Sequence, residues 1–391
     1  IKDLRRAWLE VDADALRRNY RRIARHVGPE TALLPMVKAD GYGVGAARMV
    51  RTLAGEEPWG FGVATAAEGE ELRSLGWEGR VVVFSPCPAE AAADIVEADL
   101  EACVSSLQGL REVARAAASR DREAAVHLNL DTGMGRLGFD AARVDDWAGE
   151  VREAIGGSPL RLVSTFTHYH SADADEEASA GQWSRFRRAL RAMERSGLDP
   201  GRRHAANSAA AVRWPDRAAD VVRPGIFLYG ASPVDGELHA EAVVRLRARV
   251  LEVRQVTEGA TVSYGATYRA PGPSRLATLG IGYGDGLRRS LSNRGAALLH
   301  GRRAPIRGRV CMDMTVVDVT DRPEVRPGDV ATLLGRDGEC EIRLEELAST
   351  CDTIAHEILT GFTDRLPRVP TEEAPASRST RDAESRERTS T

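Results

Sequence analysis

Lysine is all but missing from this 391-residue chain: Lys2 and Lys38 stand against 52 arginines. Arginine stays protonated in any realistic protein setting, whereas a lysine deprived of water can release its proton and become a nucleophile. Lys38 closes an apolar run, Leu33-Leu34-Pro35-Met36-Val37, and precedes a glycine-rich turn, Asp40-Gly41-Tyr42-Gly43-Val44-Gly45. A buried amine at a strand end, at the mouth of a loop, suits covalent chemistry with a carbonyl. The plainer reading is that one lysine survived a bias toward arginine.

Cysteine is scarce as well. Cys87, Cys103, Cys311, Cys340 and Cys351 are odd in number and scattered. They form no metal-ligand spacing and no disulfide framework, which reads as reduced cytoplasmic thiols and no metal. No run of 18 apolar residues is present, which excludes a transmembrane helix. No charged-then-apolar leader is present either, although the chain starts at Ile1 and a removed leader stays open. A formal net charge of −4 provides neither a basic footprint for nucleic acid nor a polybasic membrane patch. Internal repeats are lacking. The length suggests two domains, or one large barrel plus a smaller module, with enough chain for a large core.

From Leu33 to about Tyr229, short apolar runs alternate with helical patterns. The runs are Leu33–Lys38, Trp59–Ala64, Val81–Ser85, Ala102–Ser105, Val126–Leu130, Leu162–Thr167, His204–Asn207 and Val221–Leu228. Between them lie stretches such as Gly62–Ser74, Leu107–Arg120 and Ala180–Ser196, with apolar residues at three- and four-residue spacing. Eight strands separated by helices predict a (β/α)8 TIM barrel over residues 12–240, an α/β architecture. An open doubly wound sheet is the competitor, but Gly41, Gly43 and Gly45 only superficially resemble its dinucleotide fingerprint.

From about Glu241 the chain becomes rich in strand patterns broken by Gly and Pro. Alternation in Arg247-Ala248-Arg249-Val250-Leu251-Glu252-Val253 predicts half-buried strands. Residues 241–370 therefore read as a β-strand-rich domain with short helices near Leu344–Ala348 and Cys351–Ile358. Residues 1–11 contain a strand, Ala7–Val11, expected to pack with that domain rather than enter the barrel. Residues 371–391 hold few apolar groups and are expected to be a disordered tail.

In such a barrel the chemistry sits at the C-terminal ends of the strands. Lys38, Asn129 with Asp131, Arg136, His168, Asn207 with Ser208, and Arg223 with Gly225 all fall there. Singly, each reads more readily as a satisfied structural group. Together, at successive strand ends, they mark a site.

The segment Val37-Lys38-Ala39-Asp40-Gly41-Tyr42-Gly43-Val44-Gly45 resembles the pyridoxal phosphate lysine motif of the alanine racemases. Further matches follow in the family's order: His127–Gly138, Thr167-His168, His204–Ala209, Val222–Gly230, Val262–Tyr268, Gly282–Gly286 and Gly308–Asp313. The likeness spans roughly residues 5–370. It implies an N-terminal (β/α)8 barrel with a C-terminal β domain, pyridoxal 5′-phosphate as cofactor, and a head-to-tail homodimer with shared active sites.

The resemblance also implies roles. Lys38 would bond the cofactor covalently and carry a proton on one face. Tyr264, from the partner subunit, would carry it on the other. His168 would pack on the pyridine ring, and Arg223 would sit at its nitrogen. Tyr42, Asn207, Ser208, Gly225 and Ile226 would complete the cofactor site, chiefly around its phosphate. Arg136 and the Met312 backbone would hold the substrate carboxylate, and Tyr283 would shape the entrance. Without that context, Tyr264, Tyr283 and Met312 read as ordinary packing residues.

These residue types suit racemisation. The α-proton must leave one face and return on the other, which needs two proton carriers. Their pKa values must fall from about 10, through neighbouring cations and the cofactor. Arg223 can only donate, so a ring nitrogen facing it stays largely unprotonated, which restrains side reactions such as transamination.

Three positions depart from the pattern. Asn129 stands where many relatives carry a carbamylated lysine beside the arginine matching Arg136, so a chloride near Asn129 and Arg136 is the expected substitute. Relatives with broader substrate scope share this change. Asp364 lies near where many relatives place a phosphate-binding tyrosine, and Val44 and Met314 replace a frequent His and Gln. The reading is an alanine racemase. A racemase of other small amino acids, a related decarboxylase and a barrel that merely carries the cofactor are the alternatives. Arg223 and the Tyr264 segment speak against the last two.

Overall fold

The computed structural model describes residues 5–86, 88–236 and 238–371. Cys87 and the tail beyond Thr371 lie outside the described residues. The chain forms two compact units, residues 14–241 and residues 1–13 with 242–391. Among the described residues no helix is long and apolar enough to cross a membrane.

In the unit of residues 14–241, parallel strands alternate with helices. Phe61–Val63, Val81–Val83, Glu101–Val104, Ala124–Asp131, Leu160–Phe166 and Arg202–His204 pair in that order. Ala32–Leu33 and Val221–Val222 form a separate parallel pair. Isolated parallel bridges, Met36↔Gly62 and Asn207↔Arg223, link that pair to the two ends of the six-strand sheet. The pairings therefore run round all eight strands, as the alternating pattern requires. Val81–Val83 is buried on both faces, as expected where helices cover a parallel barrel.

Several expected strands are shorter than their apolar runs: Trp59–Ala64 is a strand only at Phe61–Val63, Val81–Ser85 only at Val81–Val83, and His204–Asn207 meets its strand, Arg202–His204, only at His204. Leu33–Lys38 is a regular strand only at Ala32–Leu33, because Pro35 has no N–H to give a ladder. Its neighbours still bond both ways: Leu34 N–H donates to Val222 O and Val37 N–H to Gly62 O, both at 2.8 Å. Val221–Leu228 is a strand only at Val221–Val222, and the chain then turns through Pro224 and Gly225, with Leu228 N–H donating to Gly225 O.

The other unit is built on the long strand Val244–Val256. It pairs antiparallel with Ala7–Val11, from Ala7↔Ala248 to Val11↔Val244. It also pairs with Val330–Asp337, and along its later half with Ser274–Leu279. Burial alternates from Val244 to Val250, and a register shift between Val250 and Glu252 falls where that alternation ends. Two short helices follow, Leu344–Thr350 and Ala355–Thr360. The second begins later than its apolar run because Asp352, at φ 55°, breaks the helical path.

Candidate active site

Lys38 is not a buried residue at the end of a strand. It is exposed and opens a left-handed turn in which Ala39, Asp40, Gly41 and Tyr42 have φ of 53°, 50°, 58° and 57°. Outside glycine this conformation costs roughly 1–2 kcal/mol per residue, so the surroundings must impose it. Gly41 N–H donates to Val37 O (2.8 Å) and Gly45 N–H to Asp40 O (2.9 Å). The Asp40 carboxylate accepts from Ala46 N–H at 2.7 Å. Glu68 accepts from Ala39 N–H at 2.8 Å and from Ala64 N–H at 2.6 Å. At Gly41 a Cβ would lie 2.8 Å from Met49 Cγ, so both φ and space call for glycine. The sequence reading gave Glu68 no role, although the capping box Thr65-x-x-Glu68 is legible there.

The Lys38 amine lies below its ordinary pKa, although the residue as a whole is exposed. Loss of hydration is the first cause, and Arg136 and Arg223 add repulsion that outweighs the opposing pull of Glu68. Three cations thus converge at one end of the barrel. An anionic ligand answers that imbalance.

Arg223 is buried, and its guanidinium donates to neutral acceptors: His204 Nδ1 (2.7 Å), Thr167 O (2.7 Å), Ala205 O (3.1 Å) and His168 Nδ1 (3.2 Å). Burial pushes it down to about 10, so it remains a cation at neutral pH. His168 falls to about 3, first by burial, then by Arg223, Arg136 and Lys38. It is a neutral ring, held also by Gln182, whose amide donates to His168 O at 3.0 Å.

Ser208 opens the helix Ser208–Arg213, and Asn207 caps it by accepting from Ala210 N–H at 3.0 Å. The Asn207 side chain therefore orders the helix start. Ser208 Oγ accepts from Gly225 N–H (2.9 Å) and Phe227 N–H (3.4 Å), which brings Ser208, Gly225 and buried Ile226 together. Tyr42 joins them. Its ring stacks on Tyr229 with centroids 4.5 Å apart, and the Tyr229 hydroxyl donates to Met36 O. A Cβ on Gly225 would lie 2.3 Å from the Tyr42 hydroxyl. This glycine-dependent cradle of hydroxyls and backbone N–H groups, beside three cations, fits a phosphate-bearing cofactor.

Asn129 does not orient the Arg136 guanidinium directly. Its amide donates to Ser105 Oγ and Leu137 O, both at 3.2 Å, so it pins the loop that carries Arg136. Asp131 is no partner either, since its carboxylate accepts from Gly133 and Gly135 N–H. Among the described residues Arg136 has no hydrogen-bond or ion-pair partner, and it is exposed rather than partly buried.

Tyr264, Tyr283 and Met312 belong to the other unit. All three are exposed, Tyr264 at 70%. Tyr264 starts a 3-10 turn after Ser263, whose hydroxyl donates to Arg309 O at 2.5 Å. Tyr283 N–H donates to Cys311 O at 2.9 Å and Gly284 N–H to Met312 O at 2.8 Å, which ties Tyr283 to the Met312 segment. Buried Asp285 anchors that turn through Gly282 N–H at 2.9 Å and Arg6 at 2.5 Å. Asp364 points to solvent, 3.9 Å from Arg368.

The family model described as "Alanine racemase, N-terminal domain" matches residues 11–233, and "Alanine racemase, C-terminal domain" matches residues 243–370. An alanine racemase of Desulfosudis oleivorans is 37% identical over 374 residues, covering 93% of this chain and 96% of its own. The structure of alanine racemase from Streptomyces coelicolor A3(2) is 36% identical, has a TM-score of 0.88, and covers 95% of this chain and 99% of its own. The alanine racemase of Bartonella henselae, solved with covalently bound pyridoxal phosphate, is 29% identical with a TM-score of 0.85, covering 93% and 99%.

Proposed function

The chain belongs to the alanine racemase family, and on that premise we propose that it moves the α-proton of alanine between two carriers, Lys38 and Tyr264. It is a pyridoxal 5′-phosphate-dependent isomerase that interconverts L- and D-alanine. When bound, the cofactor supplies an electron sink that makes the α-proton labile. Everything else falls to the residues of the chain.

Lys38 holds the cofactor. The observation that carries this reading is the strained left-handed turn that Lys38 opens, where loss of hydration and the charges of Arg136 and Arg223 favour a neutral amine. Ser208, Gly225, Ile226 and Tyr42 receive the phosphate, and Asn207 fixes the helix start that presents Ser208. His168, neutral and aromatic, packs on the ring. Arg223 can only donate, so it leaves the facing ring nitrogen without a proton.

Arg136, without a hydrogen-bond or ion-pair partner among the described residues, holds the substrate carboxylate together with the Met312 backbone. A chloride near Asn129 balances it when substrate is absent. Tyr264, Tyr283 and Met312 form an exposed set on the second unit, as expected if they complete the site of a partner in a homodimer. The free cysteines among the described residues, Cys103, Cys311, Cys340 and Cys351, fit a reducing cytoplasm.

Asn129 favours one second reading, a substrate range wider than alanine. Chiral analysis of products from a panel of single L-amino acids tests both. Alanine racemised alone supports the narrow reading, several amino acids racemised support the broad one, and loss of carbon dioxide or no turnover overturns both.

A further inference from the structure

Four hydrogen bonds, three of them fully buried, link Arg223 to a carboxylate at the start of a barrel strand. Arg223 donates to His204 Nδ1 at 2.7 Å. His204 Nε2 lies 2.7 Å from Ser164 Oγ, which lies 2.6 Å from His127 Nδ1. His127 Nε2 lies 2.8 Å from Glu101 Oε2, which also accepts from Arg80 at 2.7 Å. His127, Ser164 and His204 are fully buried.

The proton positions follow from chemistry alone. A guanidinium can only donate, so His204 Nδ1 is bare and its proton sits on Nε2. That proton goes to Ser164, whose single hydroxyl hydrogen must then go to His127 Nδ1. His127 carries its own proton on Nε2 and donates it to Glu101. Working back from the Glu101 carboxylate, which can only accept, gives the same assignment at every atom. Burial keeps both histidines below their ordinary pKa, consistent with neutral rings. His127 and Arg80 together outweigh the effect of burial on Glu101 and hold it ionised.

The five groups come from successive positions round the barrel. Glu101 begins Glu101–Val104, His127 lies in Ala124–Asp131, Ser164 in Leu160–Phe166 and His204 ends Arg202–His204. His127 is directly paired with Ser164. Phe166 stacks on the His204 ring at 5.1 Å and 17°, which fixes the ring plane. The chain therefore has one direction, from a cation to an anion, with no group able to reverse it without breaking a buried bond.

We propose that Ser164, His127 and Glu101 are positioning residues for Arg223, holding His204 in the Nε2-protonated tautomer so that its bare Nδ1 fixes the guanidinium. The proposal rests on the reading that Arg223 faces the cofactor's ring nitrogen. With His204 locked as an acceptor, the guanidinium cannot rotate away from the site or lose that bond. Glu101, ion-paired with Arg80, anchors the accepting end of the chain while leaving no carboxylate beside the ring nitrogen, where an acid would restore its proton.

The test uses the full-length enzyme labelled with ¹⁵N-histidine, with and without cofactor, as wild type, Ser164→Ala and Ser164→Thr. Wild type should show His204 protonated at Nε2 and bare at Nδ1 in both states. Ser164→Ala should lose that single tautomer and lower kcat about tenfold at nearly constant KM, with more transamination per racemisation event, the upper end of the scale expected for one net hydrogen bond. Ser164→Thr, which keeps the hydroxyl, should recover the tautomer and much of the rate. A wild-type His204 protonated at Nδ1, or an Ser164→Ala enzyme with lower melting temperature but unchanged tautomer, kcat and side reaction, would overturn the proposal. Arg223→Gln separates the underlying reading. If it leaves racemisation and transamination unchanged while the wild-type tautomer is as stated, the reading of Arg223 fails and the positioning role falls with it.

Discussion

The Tyr42 hydroxyl stands where a side chain at Gly225 would begin, 2.3 Å from the place of its Cβ. Neither residue can move freely. Tyr42 is stacked on Tyr229 in a strained turn, and Gly225 N–H is held by Ser208 Oγ. Gly225→Ala should therefore displace the tyrosine and weaken cofactor binding about tenfold or more, about 1.4 kcal/mol per decade. Tyr42→Phe in the same chain should recover part of the loss by removing the colliding oxygen. Absorbance titration of the cofactor-free variants measures both. Equal affinity for wild type and Gly225→Ala would contradict the phosphate cradle.

Lys38 should be the residue that retains cofactor after borohydride reduction and peptide mapping, and Lys38→Arg should bind none covalently. Its pKa is lowered below 10.5, so the neutral amine becomes available at lower pH than for an ordinary lysine. The rate of covalent attachment should rise with pH through that depressed value. Arg136 is one of the causes, so Arg136→Ala should move the inflection upward. A downward or absent shift would remove Arg136 from the account. The same sign governs stability. A lysine whose pKa is lower in the folded state destabilises the fold while it must be protonated, and that penalty fades as pH rises through its folded pKa.

Shared sites predict complementation. Lys38→Ala and Tyr264→Phe proteins should each be inactive, and co-expression should restore about a quarter of wild-type activity if pairing is random, since each mixed dimer holds one intact site of two. Persistent inactivity in isolated mixed dimers would place both carriers on one chain.

Among the described residues Arg136 has no acidic partner, and Asn129 cannot be carbamylated. Activity should respond to halide at constant ionic strength and be indifferent to bicarbonate. Asn129→Lys should acquire a bicarbonate response. Kinetics in chloride, gluconate and bicarbonate buffers check this, and a bicarbonate response in the unaltered enzyme would refute the account.

The order of strands and helices, the break near Glu241 and the strand-end cluster were legible because each rests on local information. Apolar periodicity marks a face, and Gly and Pro mark where regular structure stops. His168, Ser208, Arg223 and Gly225 could be picked out on that basis, and Lys38 by the scarcity of lysine. What could not be read is which backbone and side-chain groups satisfy one another across the barrel. The left-handed turn after Lys38 is held by Glu68, thirty residues on, and no local preference would choose it for Ala39, Asp40 and Tyr42. Asn129 was expected beside Arg136, yet its amide binds Ser105 and Leu137, because hydrogen-bond partners are decided by geometry that spacing does not encode. His204 was visible in its motif without a role. Only the closing of the strands into one ring brings it between Arg223 and Ser164, where a guanidinium that can only donate leaves its proton a single place to be.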